Sequence, residues 1–315
     1  MKRKITIIGA GNVGATIAYT LSLGDLVSEI VVIDINKDKV EGEVMDIVQG
    51  TSFREPISVI AGDYADAVDS DMVIITSGIG RKPGQSRIEL AQTNVNILKD
   101  ITPKIVDAAP KALYVIVSNP VDIMTYVFTK ISGLPERQIM GSGTVLDTAR
   151  LRYSLSDCFQ VAQKNVHAYV YGEHGDSSFI PWSLAAVSGC TLDEFEELML
   201  KEGVVTDPID REATLKYVQK SGGEIIAKKG ATYYAVSASV NKVLNSLVGA
   251  HDCVATVSTM MHGEYGIDDV CISVMTLIGP NGIRGKLPVK LTDEEIKKLQ
   301  ASANTLKEVI KGLDI

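Results

Sequence analysis

The sequence predicts an α/β chain with a doubly wound parallel sheet in its first half and an α+β domain in its second. Over the first half, short β-branched runs alternate with longer helical patterns, the order of a parallel sheet wrapped by helices. A glycine-rich turn directly follows the first run. After about Ser142 the rhythm changes to longer helical stretches and glycine-punctuated strands. We therefore predict one domain over residues 1–142 and another over residues 143–315.

Five runs in the first half are apolar on both faces, as expected of strands buried between two helical layers. They are Ile5–Ile8, Ile30–Ile33, Ile57–Ala61, Met72–Thr76 and Leu113–Val117. In the second half, Val166–Tyr171 and Val270–Ile278 are the strand candidates. Thr292 begins a Thr-Asp-Glu-Glu capping box before an apolar stripe, which predicts a closing amphipathic helix.

Composition excludes several classes of protein. The 315 residues carry a formal net charge of −8 and no long basic run, which disfavours a nucleic-acid partner. The four cysteines are far apart and form no CxxC pair, so neither a zinc site nor a disulfide framework is indicated. We interpret them as reduced thiols of a cytoplasmic protein.

The basic start, Met1 to Lys4, precedes an apolar stretch and resembles a secretory signal. Glycines interrupt that stretch, and no cleavage-site pattern follows, so we do not interpret it as a signal. No segment reaches the roughly 18 apolar residues of a membrane span. We therefore expect a cytoplasmic chain with no membrane partner.

The turn after the first strand has the G-x-G-x-x-G pattern in the strand–turn–helix context of a Rossmann-type domain. Such glycines allow a tight turn, close approach to a pyrophosphate and helix–strand packing. Asp34 ends the second strand, where its carboxylate can accept ribose hydroxyls and would repel a 2′-phosphate, favouring NAD over NADP. The alternative is a glycine-rich turn with a solvated Asp. The predicted cofactor residues are Gly9, Gly11, Asn12, Val13, Gly14 and Asp34.

A second group of residues suits carbonyl reduction. Reduction yields an alkoxide that must be protonated, and the imidazolium of His174 is the donor whose pKa lies nearest neutral pH. Asp147 could fix the ring's tautomer, and Arg150, one helical turn later, could bind a substrate carboxylate through two parallel hydrogen bonds. Taken singly, a histidine flanked by glycines or an Asp-x-x-Arg pair is more often structural.

Five motifs together carry a specific resemblance. GAGNVG (9–14), SNPVD (118–122), GSGTVLDTARLR (141–152), GEHGDS (172–177) and KGATYY (229–234) occur in the order found in L-lactate and malate dehydrogenases. The chain resembles this family over nearly its whole length.

The resemblance implies roles for individual residues. His174 would be proton donor and acceptor, Asp147 its partner and Arg150 the carboxylate anchor. Asn119 would bind nicotinamide or substrate, and Thr232 would line the pocket. Residues 78–87 (GIGRKPGQSR) resemble the family's mobile lid, in which Arg87 would polarise the carbonyl.

Different parts of the sequence indicate different substrates. Arg81 is similar to malate dehydrogenases, where most lactate dehydrogenases have glutamine, whereas GEHGDS and KGATYY look like lactate dehydrogenase. Arg81 would pair with the second carboxylate of oxaloacetate. Gln85 stands where lactate dehydrogenases commonly have glutamate, so the same loop has one negative charge fewer, which also favours oxaloacetate. We therefore expect a lactate dehydrogenase scaffold that accepts oxaloacetate and malate. If Arg81 turns into solvent, pyruvate remains the substrate; an engineered single substitution would leave the same mixed pattern.

Arg152 and His167 match the pair through which many bacterial lactate dehydrogenases bind fructose 1,6-bisphosphate between subunits. The resemblance thus implies a homotetramer with this effector. Two rival classes remain: an NAD-binding protein without catalysis, because fold alone does not prove function, and a metal enzyme. His167 and His174 lack suitably spaced partners for a closed metal site, so we predict none.

Overall fold

The computed structural model describes residues 3–80 and 88–315 completely and Arg87 by its backbone alone. Arg81, Gln85 and the side chain of Arg87 therefore lie outside the described residues. Arg81 and Gln85 carry the prediction about substrate choice, and Arg87 carries the prediction that the substrate carbonyl is polarised.

The described residues form a large central sheet whose strands alternate with helices. Its parallel strands lie in the order β3-β2-β1-β4-β5-β6, with the direction of winding reversing between β1 and β4. This confirms the predicted doubly wound Rossmann-type sheet. The elements are β1 (Lys4–Ile8), α1 (Asn12–Ser22), β2 (Glu29–Ile33), α2 (Lys37–Gly50), β3 (Ser58–Ala61), β4 (Met72–Ile75), α3 (Arg87–Ala108), β5 (Leu113–Ile116), α4 (Val121–Ser132) and β6 (Ile139–Gly141).

Both faces of this sheet are buried, as the uninterrupted apolar runs predict. Along β4, Met72 and Ile74 pack in the core cluster that includes residues of α1, whereas Val73 and Ile75 pack with residues of α3 and α4. All four side chains are at most 1% exposed. Alternate residues of a strand point to opposite faces, so an apolar run of this length requires two helical layers.

The second half forms two small antiparallel sheets and a set of longer helices. One sheet has the order β7-β8-β9 and the other β10-β13-β14. The elements are α5 (Val145–Phe159), β7 (Val166–His167), β8 (Ala186–Val187), β9 (Cys190–Thr191), α6 (Leu192–Lys201), α7 (Arg211–Lys229), α8 (Tyr234–Val248), β10 (Cys253–Ala255), β11 (Ser258–His262), β12 (Asp268–Ser273), β13 (Thr276–Gly279), β14 (Gly282–Lys286) and α9 (Asp293–Lys311).

Two strand predictions in this half were wrong in extent. The run Val166–Tyr171 is a strand only at its first two residues, and Tyr171 forms an isolated bridge with Phe179. The run Val270–Ile278 is divided between β12 and β13, which belong to different sheets. Residues between these two strands, such as Val274, are also buried, so the apolar pattern continues through the change of sheet and conceals it.

Strands β11 and β12, from the second half, extend the large sheet beyond β6. Ser258 of β11 pairs antiparallel with Gly141 of β6. Helix α8, also from the second half, packs against α1 of the first half. The Ser237 hydroxyl of α8 donates to the Thr16 carbonyl of α1 at 3.0 Å. The proposed division at residues 142 and 143 remains a prediction, and secondary structure from both sides of it shares one sheet.

The C-terminal helix α9 begins at the predicted capping box. The Thr292 amide donates to Glu295 at 2.9 Å, and the Glu295 amide donates to the Thr292 hydroxyl at 3.2 Å. Leu299 and Leu306 on its inner face are buried. Neither α9 nor another helix in the described ranges is long and apolar enough to cross a membrane.

Candidate active site

The glycine-rich turn joins β1 to α1 at the carboxyl end of the sheet. The Gly9 amide donates to the Ile33 carbonyl at 2.7 Å, and the φ angle of +108° at Gly9 favours a residue without a Cβ. A Cβ at Gly14 would overlap the Gly9 carbonyl oxygen, whereas a Cβ at Gly11 would meet no atom within 4 Å. Gly14 therefore lets the helix pack against the turn, and Gly11 leaves space above it.

That space belongs to a cavity of about 840 Å³ lined by Gly9, Gly11 and Asp34. Helix α1 begins at Asn12 and Val13, and its N-cap Gly11 supplies no side-chain acceptor for the first amides. A helix start of this kind suits a phosphate. The cavity and the free helix start are therefore consistent with a bound dinucleotide pyrophosphate.

Two backbone amides hold the carboxylate of Asp34 in place. Its Oδ2 accepts the Ala10 amide at 2.6 Å and its Oδ1 accepts the Asn36 amide at 2.9 Å. A carboxylate has about four acceptor positions, so two remain for vicinal ribose hydroxyls. The residues present thus suit NAD at the adenosine end of the cavity.

The catalytic candidates converge between α5 and the loop after Tyr171. His174 Nδ1 lies 2.5 Å from Asp147 Oδ2, and Arg150 Nη1 donates to Asp147 Oδ1 at 2.7 Å. Asp147 is buried, whereas His174 keeps a half-buried ring. The structure therefore brings all three residues into one cluster, although they are separated by up to 27 positions in the chain.

Charge within this cluster controls its protonation. The carboxylate of Asp147 raises the pKa of His174 above its ordinary value, against the opposing effect of burial. Burial alone would raise the pKa of Asp147, but His174 and Arg150 outweigh it and hold that pKa below its ordinary value. The cluster thus favours an imidazolium paired with a carboxylate.

Asn119 lies at the carboxyl end of β5, immediately before the cis peptide bond to Pro120. Its carbonyl accepts the side-chain amide of Asn94 at 2.7 Å. Asn94 is buried and also accepts the Ile79 amide at 2.9 Å. One buried amide therefore ties Asn119 to the segment that leaves β4. Sequence reasoning missed Asn94, which occurs in an ordinary helical pattern.

Asp122 is a second residue that sequence reasoning did not select. Three residues after Asn119, it is 2% exposed, and its Oδ2 accepts the backbone amide of His174 at 2.8 Å. Its Oδ1 accepts the Ser258 hydroxyl at 2.6 Å. The SNPVD motif contained the only available signal, an acidic residue at the start of a helix, which is commonly a helix-dipole contact.

Three further predicted residues lie apart from this cluster's contacts. Thr232 lies half-buried between α7 and α8. Arg152 donates from Nε to the Ala168 carbonyl at 3.1 Å and stacks over Tyr169. It lines a separate cavity of about 410 Å³, whereas His167 is exposed on β7. The structure leaves the predicted phosphate-binding role of this pair untested.

Family profiles match almost the whole chain. A profile described as lactate/malate dehydrogenase, NAD binding domain, matches residues 3–141, and one described as lactate/malate dehydrogenase, alpha/beta C-terminal domain, matches residues 144–313.

Relatives of similar length support the same assignment. An L-lactate dehydrogenase of Acetivibrio thermocellus is 47% identical over 314 residues, covering 99% of this chain and 98% of the relative. An L-lactate dehydrogenase of Thermoanaerobacter sp. is 45% identical over 312 residues, covering 99% of both chains.

Solved structures match the fold. A lactate dehydrogenase from a Medee basin deep-sea metagenome library superimposes with a TM-score of 0.93 at 34% identity, covering 99% of this chain and 98% of that one. A minor L-lactate dehydrogenase of Enterococcus mundtii, in a ligand-bound form, gives a TM-score of 0.91 at 34% identity, covering 98% of both chains.

Proposed function

Because the chain belongs to the lactate/malate dehydrogenase family, whose members are NAD-dependent oxidoreductases, we propose that it interconverts pyruvate and L-lactate. The observation that carries the chemistry is the His174–Asp147–Arg150 cluster, in which an imidazole, its carboxylate partner and a guanidinium are in contact. Similar proteins named L-lactate dehydrogenase support pyruvate as the substrate.

In the reductive direction, NADH held in the cavity lined by Gly9, Gly11 and Asp34 would supply the hydride. His174 gives its proton to the oxygen of the former carbonyl, which would otherwise carry a full negative charge. Asp147 holds the ring in position and stabilises its charged form. Arg150 binds the substrate carboxylate, and Asn119 and Thr232 line the site. Arg87, whose side chain lies outside the described residues, is proposed to polarise the carbonyl.

The raised pKa of His174 predicts opposite pH dependences for the two directions. Reduction needs the imidazolium, so kcat/KM for pyruvate should be highest below the His174 pKa and fall as pH rises through it. Oxidation of L-lactate needs the neutral ring, so its kcat/KM should rise over the same interval. Initial rates with NADH and NAD⁺ across the pH range test this. Two profiles that change in the same direction would contradict the role of His174.

Oxaloacetate and malate are a second candidate substrate pair, favoured by the positive charge of Arg81. The opposing observation is that similar proteins of nearly equal length are named L-lactate dehydrogenase. We therefore place pyruvate first and treat Arg81 as a residue that admits oxaloacetate as a weaker substrate.

The deciding experiment compares kcat/KM for pyruvate and oxaloacetate in the wild type and in Arg81→Gln. We expect the wild type to prefer pyruvate and the variant to lose about 10- to 100-fold with oxaloacetate, the worth of one hydrogen bond to a charged group. Preference for oxaloacetate in the wild type that reverses in Arg81→Gln would make malate dehydrogenase the correct assignment. A wild type that turns over neither acid would support the NAD-binding protein without catalysis.

Assembly and regulation follow the same resemblance. We infer a homotetramer in the cytoplasm, with fructose 1,6-bisphosphate bound near Arg152 and His167 as an effector. A guanidinium and an imidazole can both donate hydrogen bonds to a phosphate. Adding fructose 1,6-bisphosphate to the same assays should lower KM for pyruvate, and an unchanged KM would argue against an effector role for the pair.

A further inference from the structure

Asp122 joins three parts of the fold at one buried carboxylate. It lies in the first turn of α4, accepts the Ser258 hydroxyl from β11, and accepts the backbone amide of His174 from the catalytic loop. Both hydrogen bonds are 2.8 Å or shorter, and the side chain is 2% exposed. The carboxylate therefore fixes the backbone from which the catalytic imidazole projects.

In the part of the chain that the structure describes, α5 and β12 supply titratable groups that interact with Asp122 or His174. From α5 come Asp147 and Arg150, and from β12 comes the buried thiol of Cys271. Burial raises the pKa of Asp122, and the hydrogen bonds from Ser258 and His174 oppose that shift. Burial likewise raises the pKa of Cys271, so this thiol stays neutral.

Two carboxylates among the described residues, Asp122 and Asp147, both raise the pKa of His174. Arg150 is already bonded to Asp147, and the ring of His174 contacts the same carboxylate. Electrostatic interactions are less screened in a buried site than in water, so a carboxylate bonded to the His174 backbone still stabilises the charged form of the ring.

We propose that Asp122 is a positioning residue for proton transfer, which holds the His174 backbone in place and adds the second negative charge that retains the imidazolium. This rests on the proposed role of His174 as proton donor. A purely structural Asp122 would tie α4 to the loop without affecting the protonation of the ring.

Two substitutions separate charge from position. Asp122→Asn keeps the shape and an acceptor for the His174 amide but removes the charge. Asp122→Ala removes the acceptor as well. Asp269→Asn is the matched control, because Asp269 likewise links α4 to a strand, here β12 through Lys130 and Tyr126, but is exposed to solvent.

The pKa of His174 can be read without turnover, because diethylpyrocarbonate modifies only the neutral imidazole. Cleavage after Glu173 places His174 and His167 on different peptides, and mass spectrometry of the His174 peptide then gives its rate of modification at each pH. The same proteins are assayed for kcat/KM with pyruvate across the pH range.

We expect Asp122→Asn to lower the midpoint of His174 modification by about half to one pH unit. The alkaline limb of the pyruvate profile should move by the same amount, with kcat/KM at low pH within about threefold of the wild type. Asp122→Ala should also lose about 10- to 100-fold in kcat, because the donor is misplaced. Asp269→Asn should leave the midpoint unchanged.

An unchanged His174 midpoint in a folded Asp122→Asn protein would overturn the proposal, as would an equal shift in Asp269→Asn. If Asp122→Ala does not fold, Asp122→Asn still decides. Should the wild type reduce no 2-oxo acid, the modification midpoints still report on Asp122, so the failure of the two proposals can be told apart.

Discussion

Replacing His174 with glutamine is expected to lower kcat/KM for pyruvate reduction by about 10²- to 10⁴-fold, the usual contribution of a general acid. Glutamine can keep a hydrogen bond but cannot give a proton to the developing alkoxide. Asp147 would keep Arg150 as a partner and lose its contact with the ring. Steady-state rates with pyruvate and NADH measure the loss.

The matched control is His262→Gln, because His262 is an exposed histidine paired with Glu136. We expect this variant to keep wild-type activity. NADH affinity, measured by fluorescence, should be unchanged in both proteins because neither residue belongs to the cofactor cavity. A His174→Gln enzyme within about tenfold of the wild type would require another proton donor.

The second and third glycines of the motif, Gly11 and Gly14, should respond differently when each is replaced by alanine. In Gly14→Ala the new methyl group overlaps the Gly9 carbonyl, so α1 must move. Overpacking of this kind costs about 1–3 kcal/mol in the free energy of unfolding. In Gly11→Ala the methyl group meets no protein atom within 4 Å, and the Gly11 φ of −72° suits alanine. Its stability should change by less than about 0.5 kcal/mol.

The Gly11→Ala and Gly14→Ala variants should also differ in cofactor affinity. The Gly11→Ala methyl group enters the cavity where the pyrophosphate is expected, so the Kd for NADH should rise at least tenfold, or about 1.4 kcal/mol, in a protein of normal stability. Thermal unfolding and NADH titration of both variants measure the two effects. A Gly11→Ala protein that binds NADH normally would argue against the pyrophosphate lying beside that glycine.

Features whose sequence pattern lies within a few consecutive residues could be predicted from the sequence. The GAGNVG turn, the Asp that ends the second strand and the capping box at Thr292 are each encoded within a few consecutive residues, and the structure places each as predicted. The strands near Val270 were harder to delimit, because burial continues through the point where the chain changes sheet. An apolar run records burial and contains no information on the partner strand.

Asp122 and Asn94 could not be selected for a related reason. One partner of Asp122 is a backbone amide 52 positions away, and one partner of Asn94 is a carbonyl 25 positions away. In one sequence, an acid at a helix start and an amide within a helix have ordinary local explanations. Only the folded arrangement distinguishes a helix-dipole contact from a group that holds the catalytic loop.

The pairing of β11 with β6 has a consequence for how the chain is made. Before the second half has been synthesised, the β6 edge exposes backbone groups that lie beside Ser258 of β11 in the folded protein. An unpaired strand edge invites association with other chains. We therefore expect the first half to be prone to association through that edge until the second half emerges. A fragment ending near residue 142 should aggregate when expressed alone.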